Sequence, residues 1–232
     1  MKKKTINVYK MSKKMIKCCI FDLDGTLLNT LDTITYYVNL TLKNHNIEPI
    51  SKDECCRFVG SGATNLIRRA LKSRGIDDDV TVEKYLCEYK AAYDSNPYYL
   101  TESYPGIYEL LAELKKQGVR LAVLSNKQHS AVVKAVSHFF TDVFDAVWGD
   151  TGDMPIKPRP EGIYRIIRDF GVDASECAYI GDSDVDAMTG INANVALNIS
   201  VLWGFRTEAE LKQAGGKTFV NQACEIFDLM NL

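Results

Sequence analysis

The chain has 232 residues, 46% of them hydrophobic and 25% charged, with a formal net charge of −2 at pH 7. That length buries a core sized for one large or two modest domains, and no run approaches the roughly 18–20 apolar residues of a membrane span. Seven lysines and no acid lie in residues 1–17, which leaves −9 on the rest of the chain and argues against nucleic acid as a partner.

Segment 1–16 lacks the apolar stretch of a signal peptide and reads as a flexible leader, with Met11 and Met15 as alternative starts. Seven cysteines with no CxxC spacing point to reduced thiols and a cytoplasmic protein. The first predicted strand is the apolar run Cys18-Cys19-Ile20-Phe21, a buried parallel strand by its continuity. It leads into Asp22-Leu23-Asp24-Gly25-Thr26, and the next comparable strand, 119–124, ends only at Ser125-Asn126. A βαβ crossover takes about 30 residues, far fewer than separate Asp22 from Ser125. A helix over 106–117, introduced by Tyr104-Pro105-Gly106, supplies the return.

Residues 30–100 therefore read as an insertion, and their patterns are helical: Leu31, Ile34, Val38 and Leu42; Leu66, Ile67, Ala70 and Leu71; Tyr85, Tyr89 and Tyr93. Beyond residue 104, strands and helices alternate: strand 119–124, helix 128–139, strand 146–148, helix 160–170, strand 177–180, helix 184–191 and strand 195–202. Residues 207–232 read as terminal helices. The pattern predicts an α/β fold, a doubly wound parallel sheet of Rossmann-like type, with ligands at the carboxyl ends of its strands. Its domains would be a core of 17–29 plus 101–232 and a small helical cap of 30–100 inserted after the first strand.

Side chains at i and i+2 of a strand point the same way, so Asp22 and Asp24 project together where the first strand ends. Two carboxylates a few ångströms apart repel by roughly 4 kcal/mol at an effective dielectric near 20; a hard cation or a shared proton is the natural compensation. Three further strand-end or loop signals follow. Ser125-Asn126 joins a hydroxyl to an amide, which also suits a helix N-cap. Lys157 sits in Lys157-Pro158-Arg159-Pro160, as a site cation or a solvated loop lysine. Gly181-Asp182-Ser183-Asp184-Val185-Asp186 is an acidic cluster opening a helix, where Asp184 suits the first turn.

In this order the four segments resemble the motifs of the haloacid dehalogenase-like phosphohydrolases, over nearly all the chain from residue 17 onward. The resemblance implies a Mg²⁺-dependent phosphatase in which Asp22 attacks phosphorus and Asp24 serves as general acid and base. Asp24 would also turn its backbone carbonyl to the metal, and Asp182 would complete the protein ligands. Asp186 would hold a metal-bound water or orient Lys157. Ser125 and the Asn126 amide would bind phosphate oxygens, with Lys157 supplying positive charge. Asn29 stands where relatives commonly carry Asp, which bears on the hinge to the cap rather than on the chemistry.

Within the insertion, the stretch from Phe58 to Leu71, with Gly60, Gly62 and Arg68, resembles the substrate loop and helix of phosphoglycolate phosphatases. Trp203-Gly204-Phe205-Arg206 also resembles that group and the related pyrophosphatases. Gly60 and Gly62 would admit a small anion, and Arg68 would read a carboxylate. The expected partner is a small-molecule phosphate ester, most simply 2-phosphoglycolate, bound by a monomer or homodimer. Pyrophosphate or a sugar phosphate is the alternative substrate. A phosphosugar mutase shares the chemistry, and a phospho-accepting regulatory domain shares the residue types without an inserted lid. A dehalogenase would need neither Asp24 nor Asp182.

Overall fold

The computed structural model describes residues 15–230; the expected leader lies outside them except for its last two residues. In chain order the strands are β1 (Cys18–Phe21), β2 (Leu28–Asn29), β3 (Glu102–Ser103), β4 (Arg120–Gln128), β5 (Ala146–Asp150), β6 (Cys177–Gly181), β7 (Leu197–Val201) and β8 (Thr218–Val220). Four α-helices precede β3: α1 (Leu31–Asn44), α2 (Lys52–Phe58), α3 (Ala63–Lys72) and α4 (Asp79–Ser95). Six follow it: α5 (Ile107–Lys116), α6 (His129–Phe139), α7 (Glu161–Phe170), α8 (Asp184–Ala193), α9 (Glu208–Gln213) and α10 (Ala223–Leu229).

The apolar runs become strands buried on both faces. Alternation sends Cys19 and Phe21 of β1, Leu121 and Val123 of β4, and Ala178 and Ile180 of β6 into one hydrophobic cluster. Their neighbours Cys18, Ile20, Ala122, Leu124, Cys177 and Tyr179 enter the cluster on the opposite face. Helices α5, α6 and α10 cover the first face through Leu111, Val132 and Ile226, and α7 covers the second through Ile163 and Ile166. The six-stranded sheet has the order β5-β4-β1-β6-β7-β8 with every pairing parallel. The central position of β1 carries Asp22 to the middle of the sheet's carboxyl edge.

Helices α1–α4 close around a separate hydrophobic cluster rich in tyrosine, including Tyr37, Tyr85, Tyr89 and Tyr93. The chain enters and leaves this helical layer through β2 and β3, an antiparallel pair in which Asn29 lies opposite Glu102. Among the described residues no helix is long and apolar enough to cross a membrane.

Two expectations need correction. Residues 207–232 are not helical throughout, because Thr218-Phe219-Val220 forms β8 at the sheet edge between α9 and α10. Three residues offer too short a run for periodicity to register. The strand expected to stop at Leu124 continues as β4 to Gln128, past an irregularity in its pairing with β5. Ser125 and Asn126 thus lie within a strand, and α6 starts three residues beyond them.

Candidate active site

Asp22 follows β1 directly, and its N–H donates to the Ile180 carbonyl of β6 at 2.8 Å. That bond locks the first carboxylate beside the turn holding Asp182 and Asp186. One oxygen each of Asp22, Asp182 and Asp186 lies within 4.8 Å of the others, and all three residues are buried. Lys157 reaches in from the β5–α7 loop, its Nζ 2.7 Å from Asp22 Oδ1 and 2.7 Å from Asp186 Oδ1. Asp186 is the most heavily held: Tyr179 Oη donates to Oδ1 at 2.7 Å, and the Ser183 N–H and hydroxyl both donate to Oδ2.

Asp182 accepts from Thr26 Oγ1 at 3.2 Å and from the Phe205 N–H at 2.7 Å. Two glycines make its space. Gly25 has φ +85, where a side chain is strained, and a Cβ there would stand 2.2 Å from Asp182 Oδ2. A Cβ on Gly204 would meet Asp182 Cβ at 2.2 Å. The glycines of Asp-x-Asp-Gly-Thr and Trp-Gly-Phe-Arg thus admit one carboxylate between two loops.

Three buried carboxylates and one ammonium leave a negative excess. Burial, then Asp186, pushes the Asp22 carboxyl well above its ordinary range despite Lys157, and burial with Asp186 raises Asp182 to about 7. Burial alone would lower the lysine, but Asp186 and Asp22 outweigh it and keep Lys157 charged. Asp186 is the low member of the set: burial opposes its charge, and Lys157, Ser183 and Tyr179 overcome that. An all-oxygen donor set with excess negative charge suits a hard divalent cation, and Asp22 and Asp182 are the carboxylates least served by protein donors.

A pH dependence follows. Folded Asp182 keeps its proton up to about 7, against 3.8 for an ordinary carboxyl, so the folded state binds protons that the unfolded chain has released. Stability of chelator-treated protein should therefore fall as pH rises from about 4 through 7. Thermal melts from pH 5 to 8 should show this decline, and a saturating divalent cation should flatten it; a flat profile in chelator would contradict the assignment.

Asp24 stands apart from that triangle. Its Oδ1 accepts from Lys127 Nζ at 2.6 Å, and the same ammonium sits 4.5 Å over the Tyr93 ring. Ser125 is buried beside Asp22, with its Oγ accepting from the Lys127 N–H at 3.3 Å. The Asn126 side chain does structural work: Oδ1 accepts from Lys157 N–H at 2.8 Å, while Nδ2 donates to the carbonyls of Lys157 and Gly60 at 3.0 and 3.2 Å.

The family model of the haloacid dehalogenase-like hydrolases matches residues 19–199, which span both the sheet motifs and the helical insertion. The chain belongs to that family. A phosphoglycolate phosphatase of Rhodospirillum rubrum is 32% identical over 202 residues, covering 84% of this chain and 83% of that protein. Another, of Cereibacter sphaeroides, is 34% identical over 172 residues, covering 73% and 78%. A solved structure from Lactobacillus delbrueckii subsp. bulgaricus, provisionally described as a phosphoglycolate phosphatase, superposes with a TM-score of 0.88 at 28% identity, covering 94% of this chain and all of that one.

As a member of this family the chain encloses its acidic centre beneath the helical layer. A cleft of about 750 Å³, solvent-open mouth included, is lined by Asp22, Asp24, Ser125, Asn126, Lys157 and Asp182 on the sheet side. Gly60, Gly62 and Ala63 reach it from the layer. Arg68 does not line it. Its guanidinium pairs with Asp79 at 2.7 Å, because position 68 falls outside the arc of α3 that buries Leu66, Ile67, Ala70 and Leu71. Asp184 is also outside the carboxylate triangle, at the first position of α8 with Oδ1 3.4 Å from Arg206 Nε.

Arg206 carries a role that the sequence did not disclose. From the loop after β7 it donates to the Cys56 carbonyl at 2.7 Å and the Val59 carbonyl at 2.6 Å. It thus ties the core to the C-terminal end of α2. Replacing Arg206 by Ala should raise KM about tenfold with a smaller effect on kcat, and Arg206→Lys should not rescue it, since one ammonium lacks the fork that reaches two carbonyls. Steady-state kinetics decide this; an unchanged KM would reduce the contact to packing. Tyr179, Thr26 and Lys127 were missed as well, since a strand tyrosine or a loop threonine carries no spacing signal.

Proposed function

We propose that the chain is a Mg²⁺-dependent phosphatase that hydrolyses 2-phosphoglycolate through a phosphorylated Asp22. The carrying observation is the convergence of Asp22, Asp182, Asp186 and Lys157 at the cleft between the sheet and the helical layer. Family membership and the names of the relatives support the reaction class and suggest the substrate. Bound Mg²⁺, held by Asp22, Asp182 and the Asp24 carbonyl, would neutralise repulsion between carboxylate and phosphate.

Lys157 holds Asp22 at Oδ1, which fixes the carboxylate and offers charge to phosphate oxygens. Ser125 and the Asn126 N–H orient the phosphoryl group. Asp22 attacks phosphorus; the P–O ester bond breaks as Asp24 gives its proton to the departing alkoxide. Asp24 then takes a proton from the water that attacks the phosphorylated Asp22, releasing inorganic phosphate and restoring the Asp22 carboxylate and the protonated Asp24. Lys127, 2.6 Å from Asp24 Oδ1, holds that carboxyl in place at the cleft. The free thiols of the described residues suit a cytoplasmic enzyme.

Phosphate release should be followed with 2-phosphoglycolate, pyrophosphate, sugar phosphates and nucleotides, with and without chelator. Chelator-sensitive turnover led by 2-phosphoglycolate is expected. A pyrophosphate-led or flat profile would leave the phosphatase standing and remove the substrate.

A further inference from the structure

Helix α4 lines the catalytic cleft with Tyr89, Lys90, Tyr93 and Asp94. Of these, Tyr93 is the anomaly. It is 3% exposed, and its hydroxyl has no hydrogen-bond partner among the described residues. Two other buried phenols are answered: Tyr37 Oη donates to the Asn96 carbonyl at 3.0 Å, and Tyr179 Oη donates to Asp186. A buried hydroxyl left unpaired costs stability that a phenylalanine of the same shape would not. The ring itself is well packed, against Tyr37 at 5.1 Å and Tyr89 at 5.6 Å, with Lys127 Nζ over its face. Only the oxygen is unaccounted for.

Lys90, one turn earlier on the same helix, is half-buried at the cleft. Among the described residues it makes no ion pair or hydrogen bond. The acid next to Tyr93 in the wall, Asp94, has Oδ2 paired with Lys134 Nζ at 2.6 Å, while its Oδ1 is buried without a hydrogen-bond partner among the described residues. Apolar Ile34, Val59, Leu66 and Phe205 line the cleft beside them, together with the polar Gln128 and Arg206. A neutral O–H donor and a free ammonium set in such a wall suit one compact anionic acceptor.

We propose that Tyr93 Oη and Lys90 Nζ receive the carboxylate at the leaving-group end of a two- or three-carbon phosphate monoester, which makes α4 the specificity element in place of Arg68. This rests on the phosphatase reading above and names the residues that recognise its substrate. The phenol donates to one carboxylate oxygen and the ammonium pairs with the other, while phosphate lies at Asp22.

The test compares 2-phosphoglycolate with ethyl phosphate, which has the same length without the carboxylate, in wild type, Tyr93→Phe, Lys90→Met and Arg68→Met. The expected result is a selectivity ratio, in kcat/KM, that falls about tenfold or more in each α4 variant, mainly through KM, and stays within about twofold in Arg68→Met. Melting temperature of Tyr93→Phe should match or exceed wild type, since the lost hydroxyl had no partner. If wild type prefers 2-phosphoglycolate but the α4 variants lose both substrates equally, the inference falls and the substrate reading survives. If wild type shows no preference for the carboxylate, both fall. A loss confined to Arg68→Met would return the role to α3.

Discussion

Asp22→Asn should lower turnover by at least about 10⁴-fold, the scale seen when a covalent nucleophile is removed, while the protein stays folded. The amide keeps the shape of the carboxylate and cannot form the phosphorylated enzyme. Its effect on stability is set by the surroundings. Wild-type Asp22 is buried beside Asp186 and Asp182, and burial with those charges already disfavours its ionised form. Removing one negative charge from that cluster relieves repulsion, against the loss of one contact to Lys157. Melting temperature without metal should therefore equal or exceed wild type. Acid quenching during turnover should trap a phosphoryl group on the peptide containing residue 22 in wild type and on none in the variant. Residual activity within a hundredfold of wild type would remove Asp22 as nucleophile.

The second large effect concerns Lys157→Met, which preserves length and deletes the charge. Lys157 is 5% exposed and lies 2.7 Å from two buried carboxylates. Deleting one partner of a buried ion pair typically costs 3–5 kcal/mol, because the other charge is left uncompensated. For a chain of this size that corresponds to a melting temperature lower by about 10 °C in chelator. A divalent cation should restore much of it, since it binds the folded state and supplies the missing charge. Turnover should not recover in parallel: a loss of about 10²–10³-fold is expected with metal saturating. Melting curves with and without Mg²⁺, beside kinetics on the same preparation, separate the two roles. A variant as stable as wild type in chelator would mean that water reaches the cluster and screens it.

Most of the sheet was legible because its signals are local and redundant. Cys18-Cys19-Ile20-Phe21 and Cys177-Ala178-Tyr179-Ile180 are continuous apolar runs ending in acids, and a strand buried on both faces must read that way. The long gap between Asp22 and Ser125 disclosed the helical insertion, because no simple crossover needs such a length. Asp22 and Asp182 were nameable since each follows a strand end directly, and Lys157 and Asp186 since they stand just ahead of a helix and in the first turn of one.

What the sequence concealed depends on direction and on distance. Arg68 was plausible by composition, yet the face of α3 on which it falls is decided by Leu66, Ala70 and Leu71 packing inward, and Asp79 stood ready to pair with it. Tyr89 and Tyr93 looked like ordinary core positions at helical spacing. Only the folded arrangement shows that one phenol lacks a partner. Arg206 was visible as a letter in Trp-Gly-Phe-Arg, but its acceptors Cys56 and Val59 lie about 150 positions away in sequence. The edge strand β8 was lost to its own brevity.

The Asn126 amide has a consequence for timekeeping within the molecule. One of its contacts, to the Lys157 carbonyl, joins β4 to the β5–α7 loop; the other, to the Gly60 carbonyl, crosses to the helical layer. Any separation of layer from sheet must release the second and can leave the first intact. The two hydrogens on a single nitrogen therefore live on different clocks, one exchanging with solvent at the pace of the sheet edge and the other at the pace of opening. A side chain that braces the Lys157 loop thus doubles as a recorder of how long the chamber stays shut.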